Sequence, residues 1–186
     1  ASIAHEIRNP VGALSHAGQL LAESPSIGKE EQRFLDIIQK NSIRVNGIIE
    51  NILKLSRKEA AYPQQISLNS WCNEFVNEFI STLELNESDL SLHIKTEEVL
   101  VRMDPSHLHQ IAWNLCENAI KYARTATGDI AIEMHIGRRA NNLRPFLNIV
   151  DHGEGVPERL QENLFEPFAT GPDGGTGLGL YISREL

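Results

Sequence analysis

A histidine, a carboxylate, an amide and a proline stand close together near the start of the chain, in Ala4-His5-Glu6-Ile7-Arg8-Asn9-Pro10. Apolar residues recur at Ile3, Ile7, Pro10, Leu14, Ala17 and Leu21, in alternating steps of four and three. That rhythm describes an amphipathic helix whose stripe faces a partner helix. His5 falls at the position furthest from the Ile3–Ile7 seam, so its imidazole is expected in solvent. Asn9 lies four residues on and shares its face, and Glu6 is its neighbour. Pro10 removes the backbone hydrogen bond to the Glu6 carbonyl and should bend the helix one turn past the histidine. Such a set can serve a reactive imidazole with a hinge beside it. It can equally be a surface histidine next to a salt-bridging glutamate.

Four later stretches carry chemistry of another kind. In Asn114-Leu115-Cys116-Glu117-Asn118-Ala119-Ile120-Lys121-Tyr122, Asn114 and Asn118 are one helical turn apart and project from one face. An amide oxygen is a hard neutral ligand suited to Mg²⁺, and Lys121 can add positive charge near phosphates. Two surface asparagines and a solvated lysine would read the same way. Asp151-His152-Gly153-Glu154-Gly155 follows an expected strand, where a carboxylate can accept from an adenine amine and glycines let backbone approach a base. It is also ordinary turn chemistry. Phe165-Glu166-Pro167-Phe168 is either a lid hinge or a hydrophobic plug. Gly174-Gly175-Thr176-Gly177-Leu178-Gly179-Leu180 opens the last expected helix, where unhindered N–H groups make an anion site. No strand precedes it and it has no Gly-Lys-Ser/Thr, so it is neither a Rossmann nor a Walker loop.

These residues must be held by two different kinds of unit. A first helix over about 1–22, a breaker-rich turn at 23–28 and a second helix over 29–58 make a hairpin. On the second helix Phe34, Ile38, Asn41, Val45, Ile48, Ile52 and Leu55 keep the four-three rhythm, and Leu35, Ile37, Ile49 and Leu53 widen the apolar face. Two helices cannot cover such a face, so a homodimer forming a four-helix bundle is expected, with Asn41 fixing register. Residues 60–63 (Ala-Ala-Tyr-Pro) break the helical pattern between a 1–59 hairpin and a 64–186 mixed α/β domain. There a strand at 65–68 precedes a helix capped by Asn69, with Trp71, Phe75 and Phe79 on one face. Segments 90–96 and 99–103 alternate like paired strands. Asp104 and Pro105 begin a helix to about 123 that holds Ile111, Leu115, Ala119 and Tyr122 on one face. Segments 129–136 and 145–150 make a hairpin.

Composition narrows the classes further. A net charge of −8 over 186 residues argues against a nucleic-acid binder. Cys72 and Cys116 sit inside helical patterns and read as reduced core thiols. No apolar run approaches the roughly 18 residues of a membrane span. Residue 1 is already in phase with the stripe and residue 186 lies in an expected helix. The chain thus reads as a fragment of a longer protein, whose upstream part could hold a membrane anchor.

Ala4–Pro10 resembles the H-box of sensor histidine kinases, and the four later stretches resemble, in order, the N, G1, F and G2 boxes of their catalytic domain. That domain is similar to the gyrase, chaperone and mismatch-repair ATPases, with a Bergerat-type α/β two-layer sandwich. The resemblance covers essentially the whole chain, and the His-Glu-Ile-Arg-Asn-Pro wording is similar to the nitrogen-regulation and type IV pilus branches, which signal to activators working with the alternative sigma factor. It implies ATP and Mg²⁺ as cofactors and a response regulator as partner. It also implies the cytoplasmic portion of a membrane-anchored bacterial sensor. His5 would be the phosphoacceptor and Asn118 the Mg²⁺ ligand, with Asn114 and Lys121 near the phosphates. Asp151 would read adenine, and Gly153, Gly155, Gly175, Gly177 and Gly179 would shape the pocket, with Tyr122, Phe168, Thr176 and Leu178 among its contacts.

The expected chemistry is transfer of the ATP γ-phosphoryl group to a His5 nitrogen, after the catalytic domain swings about a hinge near 59–63. Glu6 would take or orient the imidazole proton, and Asn9 could orient a water for phosphatase action on the regulator. Hydrolytic relatives carry a water-activating glutamate about one turn before the metal-binding Asn; Asn114 stands there and cannot act as a base. The segment 169–173 is a short lid, with Gly171 where many family members have lysine. The rival readings are a non-catalytic scaffold that senses ATP and a hydrolysing ATPase.

Overall fold

The computed structural model describes residues 2–22, 28–56, 61–122, 130–169 and 176–186, and leaves out the side chains of 2–6, 8, 30 and 50–56. Residues 23–27 of the expected turn at 23–28, residues 59–60 of the expected hinge, residues 170–173 of the expected lid at 169–173, and Gly174 and Gly175 therefore lie outside the described residues. The chain forms two compact units, residues 1–59 with 163–182, and residues 60–162 with 183–186. Residues 163–182 fall with the helical hairpin in this division.

In the first unit α1 (Ser2–Ala22) packs on α2 (Lys29–Ser56), and α1 continues through Pro10. The seam inside the hairpin is not the large apolar stripe. On α1 it runs through Val11, Ser15, Gly18 and Ala22, half-buried or buried at steps of four and three. A Cβ at Gly18 would meet Ile38 Cγ2 and Gln39 Cγ at 3.7 Å, so the small residues let the helices approach closely. On α2, Leu35, Ser42 and Ile49 are buried, seven residues apart. Ile7, Leu14 and Leu21 remain exposed, as do Phe34, Ile38 and Val45; Leu14 and Phe34 show 59% and 63% of their surface. Asn41 is exposed and its Nδ2 donates to the Ile37 carbonyl of its own helix at 2.8 Å.

The second unit is α/β. Strand β1 (Gln64–Ser67) leads into α3 (Leu68–Thr82), then come β2 (Leu90–Ile94), β3 (Leu100–Met103), α4 (Pro105–Tyr122), β4 (Ile132–Arg138), β5 (Pro145–Asp151) and α5 (Glu158–Gln161). The final helix, α6 (Gly179–Glu185), begins in the first unit and ends in the second. A three-stranded sheet has β4 in the middle, parallel to β2 and antiparallel to β5; β1 and β3 form a separate antiparallel pair. The expectation that 90–96 and 99–103 pair with each other is therefore corrected. Alternation reveals which face is buried, but it does not name the neighbour.

Ile132, Met134 and Ile136 point from β4 to a core shared with Leu68, Cys72, Phe75, Val76 and Phe79 of α3 and Leu108, Ala112, Cys116 and Ala119 of α4. The buried face of α4 is centred on those residues, while Ile111 and Leu115 are half-buried and Tyr122 is exposed. Phe79 is fully buried and meets Trp113 edge-on at 4.9 Å, in a cluster with Phe75 and Trp71. Burial pushes the thiols of Cys72 and Cys116 up to about 12, the second also feeling the first, so both stay neutral packing groups.

Asn69 does not cap α3, contrary to the sequence reading. Its Oδ1 accepts from Val99 N at 3.0 Å and its Nδ2 donates to the carbonyls of Thr96 and Glu97, tying the β2–β3 connection to the helix. Asp104 is the cap expected for α4. Its Oδ1 accepts from Ser106 Oγ at 2.7 Å and Ser106 N at 2.8 Å, and its Oδ2 from Tyr62 N at 2.8 Å. Those bonds, the Ser106 hydroxyl first and the Tyr62 N–H second, hold its carboxyl well below the usual carboxylate range. A carboxylate depressed in the folded state stabilises above its unfolded value of about 3.9 and loses that contribution as pH falls toward the folded value. Asp104→Ala should therefore lower the unfolding midpoint at neutral pH, and the gap to the parent should narrow as pH drops below about 4. Thermal unfolding across pH measures this; a gap independent of pH would contradict it.

Candidate functional site

His5, Glu6 and Asn9 all lie on α1, with Pro10 inside the same helix. The side chains of His5 and Glu6 are outside the described residues, but those that share the helix face of His5 are not. Asn9, Gly12 and His16, at steps of four, seven and eleven from it, are all exposed. Among the described residues nothing lies within 4 Å of a Cβ built at Gly12. The hairpin seam passes along the other side, through Val11, Ser15 and Gly18.

In the second unit α4 lies against β4 and β5, so the residues expected to meet a nucleotide divide between a helix and the end of an adjacent strand. Asn114 and Asn118 are half-buried on α4. The Asn114 amide donates to Ser183 Oγ of α6 at 3.3 Å, fixing its orientation. At the C-terminal end of that helix Lys121 and Tyr122 are exposed, with Lys121 Nζ 2.9 Å from the Tyr122 hydroxyl and 4.8 Å from its ring centre. Asp151 ends β5 exposed, and its Oδ1 accepts from Gly153 N at 3.0 Å. That turn pre-orients the carboxylate while leaving Oδ2 without a turn contact. Gly155 has φ +81°, which a residue with a side chain adopts only with strain.

Phe168, Thr176, Gly177 and Leu178 belong to the first unit together with the start of α6 at Gly179. Phe168 N donates to the Gly177 carbonyl at 2.9 Å, and both residues have positive φ, +66° and +67°. Leu178 is buried, and its N donates to Thr176 Oγ1 at 3.4 Å. Phe165 and Phe168 are exposed, so this stretch is no plug. Sequence reasoning left one group unassigned: His152, inside the Asp151–Gly155 turn, reaches Glu133 Oε1 with its Nε2 at 3.0 Å. Only the strand register reveals it.

Residues 1–61 match the family model described as the His Kinase A (phospho-acceptor) domain, and residues 103–186 match the Histidine kinase-, DNA gyrase B-, and HSP90-like ATPase. The chain belongs to the sensor histidine kinase family. It is 46% identical over its whole length to the sensor protein kinase PilS of Pseudomonas aeruginosa, covering 35% of that protein. To sporulation kinase D of Bacillus subtilis it is 30% identical, covering 36%. The chain therefore spans about a third of the length of these curated relatives. Among solved structures, histidine kinase ThkA in complex with the response regulator TrrA aligns with 91% of this chain and 49% of its own, at TM-score 0.59 and 25% identity. Full-length ShkA in complex with AMPPNP aligns with 98% of this chain and 38% of its own at TM-score 0.65; at 18% identity that likeness concerns the fold. A helical hairpin followed by an α/β ATPase-type domain is the architecture of the family.

Proposed function

We propose that this chain transfers the γ-phosphoryl group of ATP to a nitrogen of His5 and then passes it to an aspartate of a response regulator. The observation that carries this reading is the presence of a phosphoacceptor domain over 1–61 and an ATPase domain over 103–186 in one chain. The exposure of Asn9, Gly12 and His16, at steps of four, seven and eleven from position 5, supports it. His5 supplies the nucleophile, and Glu6 holds the proton at one imidazole nitrogen so that the other is free to attack.

The donor set on α4 fits Mg·ATP. Amide oxygens are neutral hard ligands of the kind Mg²⁺ takes. Asn118 would bind the Mg²⁺, with Asn114 and Lys121 near the phosphates. Asp151 would accept from adenine; Gly153 and Gly155 would admit the base, with Tyr122 beside it. Phe168, Gly175, Thr176, Gly177, Leu178 and Gly179 would form the phosphate loop and lid. Mg²⁺ held at Asn118 would supply charge neutralisation for the phosphoryl group in transfer. Asn114, in place of a glutamate, has no basicity with which to activate water, which favours transfer over hydrolysis.

The exposed stripes of Ile7, Leu14 and Leu21 and of Phe34, Ile38 and Val45 support a homodimer through a four-helix bundle. Light scattering of the folded chain should give twice its mass; a monomer would contradict the bundle. We further propose phosphatase action on the regulator through Asn9, whose exposed amide can orient a water. Asn9→Ala should slow regulator dephosphorylation by about 10²-fold or more with autophosphorylation little changed. Equal losses would contradict that division.

Identity to PilS supports the type IV pilus branch. Among the described residues no helix is long and apolar enough to cross a membrane. We place the chain as the cytoplasmic portion of a membrane-anchored bacterial sensor, its membrane attachment lying in other segments, and with no nucleic-acid partner. The test of the whole reading is label transfer. Chain phosphorylated from γ-labelled ATP, freed of nucleotide, should lose label to a receiver domain with an intact aspartate and keep it when that aspartate is replaced.

A further inference from the structure

The outer face of the three-stranded sheet gathers histidines around one carboxylate. Because Ile132, Met134 and Ile136 point into the core, Glu133 and His135 point away from it. Parallel pairing sets His93 beside His135 and Ser91 beside Glu133, while β5 ends next to Glu133 and delivers His152. His135 Nε2 lies 2.7 Å and His93 Nε2 4.0 Å from Glu133 Oε2, and His152 Nε2 lies 3.0 Å from Glu133 Oε1. The His93 and His135 rings stack, with centres 4.6 Å apart and planes at 15°. His135 and Glu133 are half-buried, and His135 Nδ1 is buried without a hydrogen-bond partner among the described residues.

We propose that His93, Glu133 and His135 form a site for a divalent transition-metal ion of the zinc class, with His152 as a further ligand within reach. One donor atom from each of the three lies within 4.8 Å of the others. Two imidazole nitrogens and one carboxylate oxygen are the donor set that suits Zn²⁺ and its first-row neighbours, whereas Mg²⁺ prefers oxygen alone. Bonds of about 2.0–2.1 Å need ligand atoms roughly 3.3 Å apart, so the gap of His93 must close by less than an ångström and the short His135–Glu133 contact must open by about as much. Side-chain rotation at a solvent face provides such movements.

A surface salt-bridge cluster would explain one imidazole on each carboxylate oxygen. A second imidazole stacks on the first; its Nε2 lies 3.0 Å from Ser91 Oγ and 4.0 Å from the same carboxylate oxygen, so ligation would exchange the serine contact for the metal. Since His152 sits between Asp151 and Gly153, the ion would also tie the end of β5 to the middle strand.

The test uses the whole chain, stripped of metal by a chelator and titrated with Co²⁺ and then Zn²⁺. The expected result is one Co²⁺ per chain with visible absorption of a four- or five-coordinate centre, displaced by Zn²⁺, and a Zn²⁺-dependent rise in the unfolding midpoint. His93→Ala, His135→Ala and the shape-preserving Glu133→Gln should each weaken binding about tenfold or more, with His107→Ala on α4 as the unaffected control. Far-UV circular dichroism confirms that each variant is folded. Absence of the absorption, or undiminished binding in folded His93→Ala and Glu133→Gln, would overturn the site.

Discussion

Replacing His5 by glutamine is expected to abolish incorporation of γ-labelled phosphate while leaving ATP affinity unchanged. Glutamine keeps a polar side chain of similar reach and favours the helix, so α1 should persist. It has no nucleophilic nitrogen, because its amide lone pair is delocalised. The residues proposed to hold ATP begin at Asn114 and share no stretch of sequence with the H-box, which is why binding and transfer should separate. Glu6 and Asn9 stay in place in this variant, so the loss would belong to the imidazole alone. Autoradiography after alkaline electrophoresis measures incorporation, and titration with a fluorescent ATP analogue measures binding. Label persisting on His5→Gln would move the phosphoacceptor elsewhere.

Gly177→Ala should produce the second large effect. Gly177 has φ +67°, a region that costs an alanine roughly 1–2 kcal/mol. A Cβ there would lie 2.5 Å from Phe168 C and 2.8 Å from both N and O of Ala169. All three are backbone atoms, so no side-chain rotation relieves the clash. The 168–177 contact made by Phe168 N and the Gly177 carbonyl must then give way, and with it the path into α6. A loop energy of about 1–3 kcal/mol, felt in the bound state, is on the order of 5- to 150-fold in nucleotide affinity. Gly155→Ala is the comparison: it has φ +81° but no described atom within 4 Å of a built Cβ, so it carries strain without collision and should lose less. Equal affinities of parent and Gly177→Ala would remove this loop from the nucleotide site.

The hairpin, the α/β unit and the start of α4 were legible because local chemistry fixes them. The four-three rhythm gives the helices, and an aspartate before a proline gives the cap that Asp104 makes with Ser106. Long-range partners were not legible. Asn69 read as a cap because its type and place allow one, yet its amide is used by Thr96, Glu97 and Val99, some thirty residues on. The large residues of α1 promised a seam, but Gly18 and Ser15 let α2 come closer on another side, leaving Leu14 and Leu21 exposed. His93 and His135 each sit at an outward strand position readable from alternation, but only the parallel register between β2 and β4 makes them neighbours.

Of the candidate site, the residue types and their order were readable, and the geometry added the orientations. Asp151 is set by Gly153 N, Asn114 by Ser183, and Gly177 by Phe168. The decisive measurement is the chemical position of the phosphate. After incubation of the purified chain with Mg·ATP, mass spectrometry under alkaline conditions should find an acid-labile phosphoryl group on a nitrogen of His5. Release of inorganic phosphate with His5 unmodified throughout the reaction would contradict the account.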